Sequence, residues 1–367
     1  MKIASILLAA GQGTRMHSKI PKVLHPVVGR PMIFYAVEAV QRLVNLPPVV
    51  VVGYGSDTVR QALSGAGFEV QFALQEQQLG TAHAISCAQP LLEKQADQVL
   101  VTCADMPLLQ EETLQRLVTL HAQSGGVMTM TSVIGEVPRG FGRVVRDEHG
   151  GVSAIVEEAV ATPEQLAIRE YNVSAYCFEA AWLWENLKRI QLSAKKEYYL
   201  TDLVEIAVKQ GYKVETLVVP DPAEALGINT RVDLAAAEHA MRLRINQRWM
   251  LAGVTLLDPA TTTIEVGVTI GQDTTIYPNT ALRGSTVIGE DCHIGPDTTL
   301  VDTKVGNATL IQNSVAEYAR VGNHVSIGPF CHLRKGAILM DGVHMGNFGE
   351  VKASTLGENV KMGHFSY

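Results

Sequence analysis

Two different beats of hydrophobic residues divide the chain. Up to about residue 228, short apolar runs alternate with amphipathic stretches. The runs at 2–8, 48–52, 69–73, 98–103 and 127–134 have the length and β-branched content of buried strands. The stretches around 32–43, 56–64, 81–93 and 110–122 carry helical spacing. Such alternation predicts an α/β unit with a mostly parallel sheet covered on both faces. Ligands in such sheets lie at the carboxyl ends of strands, where the loops after Leu8 and Cys103 open. Residues 231 to about 250, rich in Ala, Arg, Leu and Glu, predict one long helix with Asn229-Thr230 as its N-cap.

Beyond Gly253 the beat becomes six. Ile264, Ile270, Ile276, Leu282, Ile288, Ile294 and Leu300 recur at strict i+6 spacing, and a second series runs Val315, Val321, Ile327, Leu333, Leu339, Met345, Val351. Glycine often follows the aliphatic residue, as at Ile270-Gly271 and Ile288-Gly289. Six is the period of a left-handed parallel β-helix of hexapeptides, whose aliphatic residues face inward and whose short strands each end in a turn. Three hexapeptides close one triangular coil, so this part predicts roughly six coils. The slip between Leu300 and Val315 predicts an inserted loop or a coil of another length. The expected domains are 1–228, a linker helix 229–252, and the β-helix 253–367.

Composition narrows the class. With 367 residues, 47% hydrophobic and 18% charged, the chain has the makeup of an ordinary globular protein of two domains or more. It has no apolar run long enough for a membrane span. A net charge of −7 argues against a bulk nucleic-acid binder, so any phosphate affinity must be local. The cysteines Cys87, Cys103, Cys177, Cys292 and Cys331 are odd in number and scattered, without a C-x-x-C. That pattern predicts reduced thiols and a cytoplasmic location.

The first loop supplies the local phosphate chemistry. After the strand ending at Leu8 comes Ala9-Ala10-Gly11-Gln12-Gly13-Thr14-Arg15-Met16, then Pro21-Lys22. Two glycines, a hydroxyl and two cations suit a polyphosphate held by backbone N–H groups. Met16 stands where the third glycine of a dinucleotide fingerprint belongs, and no Gly-Lys-Ser/Thr follows, so neither a dinucleotide site nor a P-loop is predicted. The pattern L-A-A-G-x-G-T-R-M, with Pro21-Lys22 and Gly29-Arg30-Pro31-Met32, resembles the sugar-1-phosphate nucleotidyltransferases, which carry a Rossmann-like sheet. The order of the two halves, over essentially the whole chain, resembles the bacterial bifunctional GlmU family: UDP-N-acetylglucosamine pyrophosphorylase joined to glucosamine-1-phosphate N-acetyltransferase.

The resemblance implies transfer of UMP from UTP to N-acetylglucosamine-1-phosphate, with Mg²⁺ as cofactor and a place in cell-wall precursor supply. Arg15 and Lys22 become the catalytic cations, and Leu8, Ala9, Ala10 and Gly11 line the nucleotide. Asp105 follows the strand ending at Cys103-Ala104, and a carboxylate there suits a hard cation. The resemblance pairs it with Asn229 as the metal ligands, and sets Gln75, Gly80 and Thr81 in a uracil-reading loop. Gly142, Glu157 and Asn172 match sugar contacts. Cys103-Ala104 and Ser174-Ala175 depart from the family, which typically has glycine before the aspartate and Thr-Gly after the asparagine.

In the second half the resemblance makes His364 the general base of acetyl transfer, and Arg334, Lys352 and Tyr367 contacts to glucosamine-1-phosphate, with acetyl-CoA as co-substrate. The resembled enzymes continue for further coils, so acetyl transfer is expected to be weak in a chain ending at Tyr367. A homotrimer is expected, because a triangular helix leaves lateral apolar positions for neighbours to cover. The alternatives are a glucose-1-phosphate adenylyl- or thymidylyltransferase and a non-catalytic paralogue; Arg15, Lys22 and Asp105 argue against the last.

Overall fold

Four consecutive valines and the apolar stretch from Ile3 to Ala9 are buried because they form neighbouring inner strands of one sheet. The computed structural model describes residues 1–135 and 140–367. Up to Leu251 the strands are β1 (Ile3–Ala9), β2 (Pro26–Val27), β3 (Arg30–Pro31), β4 (Val49–Val52), β5 (Gln71–Leu74), β6 (Gln98–Cys103), β7 (Met128–Ile134), β8 (Arg143–Arg146), β9 (Val152–Val156), β10 (Glu170–Glu179) and β11 (Glu215–Val218). The helices are α1 (Met32–Gln41), α2 (Ser56–Gly65), α3 (Thr81–Leu92), α4 (Glu111–Ser124), α5 (Pro163–Leu166), α6 (Ala180–Asn186), α7 (Asp202–Lys209) and α8 (Arg231–Leu251). Cα proximity groups Met1–Val27 with Pro31–Ala237 in one unit, and Val28–Arg30 with Glu238–Tyr367 in a second.

The main sheet of the first unit runs β11-β7-β10-β6-β1-β4-β5. β1, β4, β5 and β6 are parallel, and β11 runs parallel to β7, while β10 is antiparallel to both β6 and β7. The sheet is therefore mostly parallel with one long reversed strand. The parallel βαβ steps place the loops after β1 and β6 at the same edge, because Leu8 pairs with Cys103.

From Thr255 onward the strands are two or three residues long and stack into three parallel sheets of 7, 6 and 6 strands. Each sheet is one face of the β-helix. Ile264 pairs with Leu282, and Leu282 with Leu300, so these coils take eighteen residues. The coils then shrink: Ile288 pairs with Val305 seventeen residues on, and Leu300 with Ala316 only sixteen on. Eighteen returns at Val321 and Leu339. The expected slip is thus a set of shorter coils, with no loop inserted. It also corrects the assignment of Val315, which is 38% exposed while Ala316 points inward at 1%. The second series starts in phase at Val321.

A second small residue, two positions before the inward one, is buried as well. Thr262, Thr274, Thr286, Thr298, Thr303 and Thr309 stand there. The Thr274 hydroxyl donates to the Gly289 carbonyl at 2.8 Å and accepts from Cys292 N at 3.0 Å. Thr309 repeats this with Gly322 and Val325, so the corners satisfy buried backbone groups that strand pairing misses.

Candidate active site

The site is built where β1 and β6 end. Ala104 N donates to the Leu8 carbonyl at 3.0 Å, which closes the two strand exits side by side. Ile228 N donates to the Asp105 carbonyl at 2.9 Å, which draws the segment before α8 to the same place. Thr230, not Asn229, caps α8: Thr230 N reaches Asp233 Oδ2 at 2.8 Å, and Asp233 N donates back to Thr230 Oγ1 at 3.2 Å. The Asn229 side chain is left for the site. Its Oδ1 accepts from Lys22 Nζ at 3.2 Å, and the same ammonium is ion-paired with Asp105 Oδ2. Lys22 and Asp105 side chains are only 12% and 20% exposed, so this charge pairing is little screened.

Gly13 explains how Lys22 gets there. Its φ is +64°, and a Cβ on it would stand 2.6 Å from the Lys22 Cβ. The loop can fold onto the lysine stem only with glycine at that point. Ala9 and Ala10 are buried beneath the loop, Gly11 is exposed, and Arg15 extends into solvent from the turn Thr14–Met16. The start of α8 is tied to the same loop, because Arg231 Nε donates to the Met16 carbonyl at 3.3 Å.

A cavity of about 310 Å³ opens beside this loop, lined by Gln12, Gly53, Tyr54, Leu74, Gln75, Glu76 and Gln78. Gln75 is 3% exposed, and its Nε2 lies 3.0 Å from the Gly80 carbonyl and 3.0 Å from His83 Nδ1. Gly80 has φ +102°, and a Cβ there would run into the backbone of Tyr198. Thr81 is exposed, and its hydroxyl oxygen accepts from Leu200 N at 3.0 Å.

Gly142, Glu157 and Asn172 also come together. Asn172 N donates to the Gly142 carbonyl at 2.9 Å, and a Cβ on Gly142 would lie 3.6 Å from Glu157 Oε1. Burial pushes the Glu157 carboxyl above its ordinary pKa, opposed by a hydrogen bond from the Thr201 hydroxyl at 3.1 Å. Asn172 is 4% exposed; its Nδ2 donates to the Tyr176 hydroxyl at 2.6 Å, and its Oδ1 accepts from Ser174 N. Burial raises the Tyr176 phenol too, opposed by the hydrogen bond from Asn172. The Cys103 thiol is pushed up to about 12, chiefly by burial and then by Asp105. It is no nucleophile at neutral pH.

Arg334 and Lys352 follow the same β-helix face in successive coils, where Arg334 N donates to the Val351 carbonyl at 2.9 Å. Arg334 also pairs with Glu350 at 2.9 Å. His364 lies at the corner before that face, edge-on to Phe365, whose ring stacks on Phe348. Within one chain the histidine is therefore separated from Arg334 and Lys352 by the width of a face. Lys352, His364 and Tyr367 are exposed.

Sequence reasoning missed His83, Tyr176 and the clamp on the Gly142 loop, where Glu158 Oε2 accepts from Gly140 N and from Arg143. The histidine of Gly80-Thr81-Ala82-His83 was the one available signal.

A parallel-sheet domain with a cationic glycine loop, a carboxylate and a cavity at one strand edge, followed by a hexapeptide β-helix, defines a nucleotidyltransferase fused to a hexapeptide transferase fold. Residues 5–177 match the MobA-like NTP transferase domain, and 267–301 match the bacterial transferase hexapeptide (six repeats). The chain is 45% identical to the bifunctional protein GlmU of Geobacillus sp. (strain WCH70), covering 100% of this chain and 80% of that protein. It is 47% identical to the protein of the same name from Pelotomaculum thermopropionicum and 43% identical to that of Heliobacterium modesticaldum, with the same coverage. The chain belongs to the GlmU family.

Proposed function

We propose that the first unit transfers UMP from UTP to N-acetylglucosamine-1-phosphate, releasing pyrophosphate. The observation that carries the reading is the meeting of Lys22, Asp105 and Asn229 at one edge of the sheet, between the Gln75 cavity and the Glu157–Asn172 group. A sugar phosphate oxygen attacks the α-phosphorus of the triphosphate. Such a reaction asks the protein to position groups and to neutralise charge. Backbone N–H groups of the glycine loop would face the phosphates, with Lys22 beside them and Arg15 reaching in from the rim. The Glu157 carboxylate and the Asn172 amide suit the hydroxyl and acetamido groups of the sugar.

The family implies a divalent metal, and the residues fit one. Asp105 Oδ2 and Asn229 Oδ1 already converge on a single cationic atom, the Lys22 ammonium. Among the described residues no group of three or more His, Cys, Asp and Glu is arranged to hold a metal ion. One carboxylate and one amide suit Mg²⁺, which retains several waters. When bound, it would offset charge on the phosphates.

The test is a panel of sugar phosphates and triphosphates scored by pyrophosphate release, with and without Mg²⁺. UTP with N-acetylglucosamine-1-phosphate is expected to lead, and only with the metal. Preference for glucose-1-phosphate over its 2-acetamido analogue would overturn the reading. In the second unit, glucosamine-1-phosphate and acetyl-CoA are the ligands proposed by family. A site joining His364 to Arg334 and Lys352 would draw on a neighbouring copy, so we expect a homotrimer; light scattering that finds a monomer at micromolar concentration would exclude it.

A further inference from the structure

We propose that His83 is a positioning residue that fixes the Gln75 side-chain amide as an obligate hydrogen-bond acceptor toward the base. The inference rests on the uridylyl-transfer reading.

An amide of glutamine can turn over and exchange its donor and acceptor ends. Here two contacts forbid it. Gln75 Nε2 lies 3.0 Å from the Gly80 carbonyl oxygen, which can only accept, so the nitrogen must face that way. The same nitrogen lies 3.0 Å from His83 Nδ1, and an NH₂ group can only donate, so Nδ1 is the acceptor of that contact. Both N–H bonds of Gln75 are then committed to the protein, and Oε1 is the end left for a ligand. Turning the amide would set Oε1 against the Gly80 oxygen and the Nδ1 lone pair together. Gln75 is nearly buried, so water offers little relief for such a clash.

The consequence is base choice. Uracil presents an N–H at N3, flanked by carbonyls, whereas cytosine presents a bare ring nitrogen there. An acceptor that cannot turn over pairs with the first and repels the second. A glutamine free to turn would tolerate both. Gly80 cannot be removed as a side chain, so His83 is the replaceable half of the lock. The helix α3 holds it one turn in from Gly80, on the segment whose start is pinned by Ala82 N donating to the Tyr198 carbonyl at 3.0 Å.

A double-mutant cycle tests this on the full chain. The ratio of kcat/KM for UTP over CTP is measured in wild type, His83→Leu, Gln75→Ala and the double variant, with thermal melts alongside. His83→Leu should lower the ratio by about tenfold, the weight of one hydrogen bond in a buried site, mostly through KM for UTP. KM for the sugar phosphate should stay within about twofold. In the Gln75→Ala background the histidine change should cost nothing more, because its partner is gone. His83→Asn, whose Oδ1 offers an acceptor where Nδ1 was, should restore most of the ratio, which a merely structural loss would not allow. An unchanged ratio in His83→Leu, additive costs in the double variant, or failure of His83→Asn to recover would overturn the proposal. If wild type itself does not prefer UTP, it is the uridylyl-transfer reading that falls.

Discussion

Lys22 is held by groups on both sides, and each can be removed separately. Asp105→Ala should abolish metal-dependent pyrophosphate release with little change in melting temperature, because it takes away the one carboxylate on the proposed cation. Activity within a few-fold of wild type at limiting Mg²⁺ would exclude that role. Gly13→Ala puts a side chain against Lys22 and forces a left-handed residue, so kcat should drop by about tenfold or more while the fold persists. Gly80→Ala strikes the Tyr198 backbone and should raise KM for the nucleotide, read in the same assay. At this scale the sequence showed the residues whose chemistry announces itself in a short motif, such as Lys22 and Asp105. His83 and Tyr176 matter through a partner elsewhere in the chain. Tyr176 meets Asn172 only because the pairing of β10 with β7 shifts between those two residues, and no spacing rule contains that bulge.

Among the elements, β11 was missed, but β1, β4, β5, β6 and β7 and the helices α1 to α4 were legible because each is a continuous apolar run or a clean amphipathic repeat. β10 was not. Asn172 and Ser174 interrupt it with polar residues, so its pattern resembles neither template. One buried polar group between elements gives a pH test. His121 of α4 is 2% exposed, with Nδ1 lying 2.9 Å from the Thr129 hydroxyl of β7. Burial lowers its pKa from 6.5 to about 4. Between these values the unfolded chain binds a proton that the folded one does not. Stability should therefore be undiminished by this residue above pH 6.5 and fall as the pH drops toward 4, by about 3 kcal/mol in all. In His121→Gln that part of the acid slope in a denaturant titration should vanish. A slope identical to wild type would show that other groups produce it.

For the whole molecule, the two halves differ in what must be known to place a residue. The first unit joins Lys22 to Asn229 across the length of the domain, whereas every coil of the β-helix touches only its neighbours. The six-residue beat therefore revealed the second architecture outright and failed only where the coils shorten. Locality makes a deletion test. Removing residues 265–282 takes out one eighteen-residue coil and leaves Ile264 six positions before Ile288, so a cooperative melt should survive. Removing seventeen instead leaves seven positions between Ile264 and Ile288, one more than any rung from Ile264 onward uses, and should lower the melting temperature of the β-helix.

That tolerance carries a hazard of its own, since a stack of identical rungs can close one rung out of step and still bury an aliphatic residue at every level. The coils from Leu300 to Ile327 answer it. Their perimeter is smaller, and the narrowest of them is filled by alanine where its neighbours carry leucine or isoleucine. Displaced by a whole rung, Ala316 would leave a void in a wide ring and a leucine would be forced into a tight one. This waist is a landmark along the ladder, and it favours one way to count.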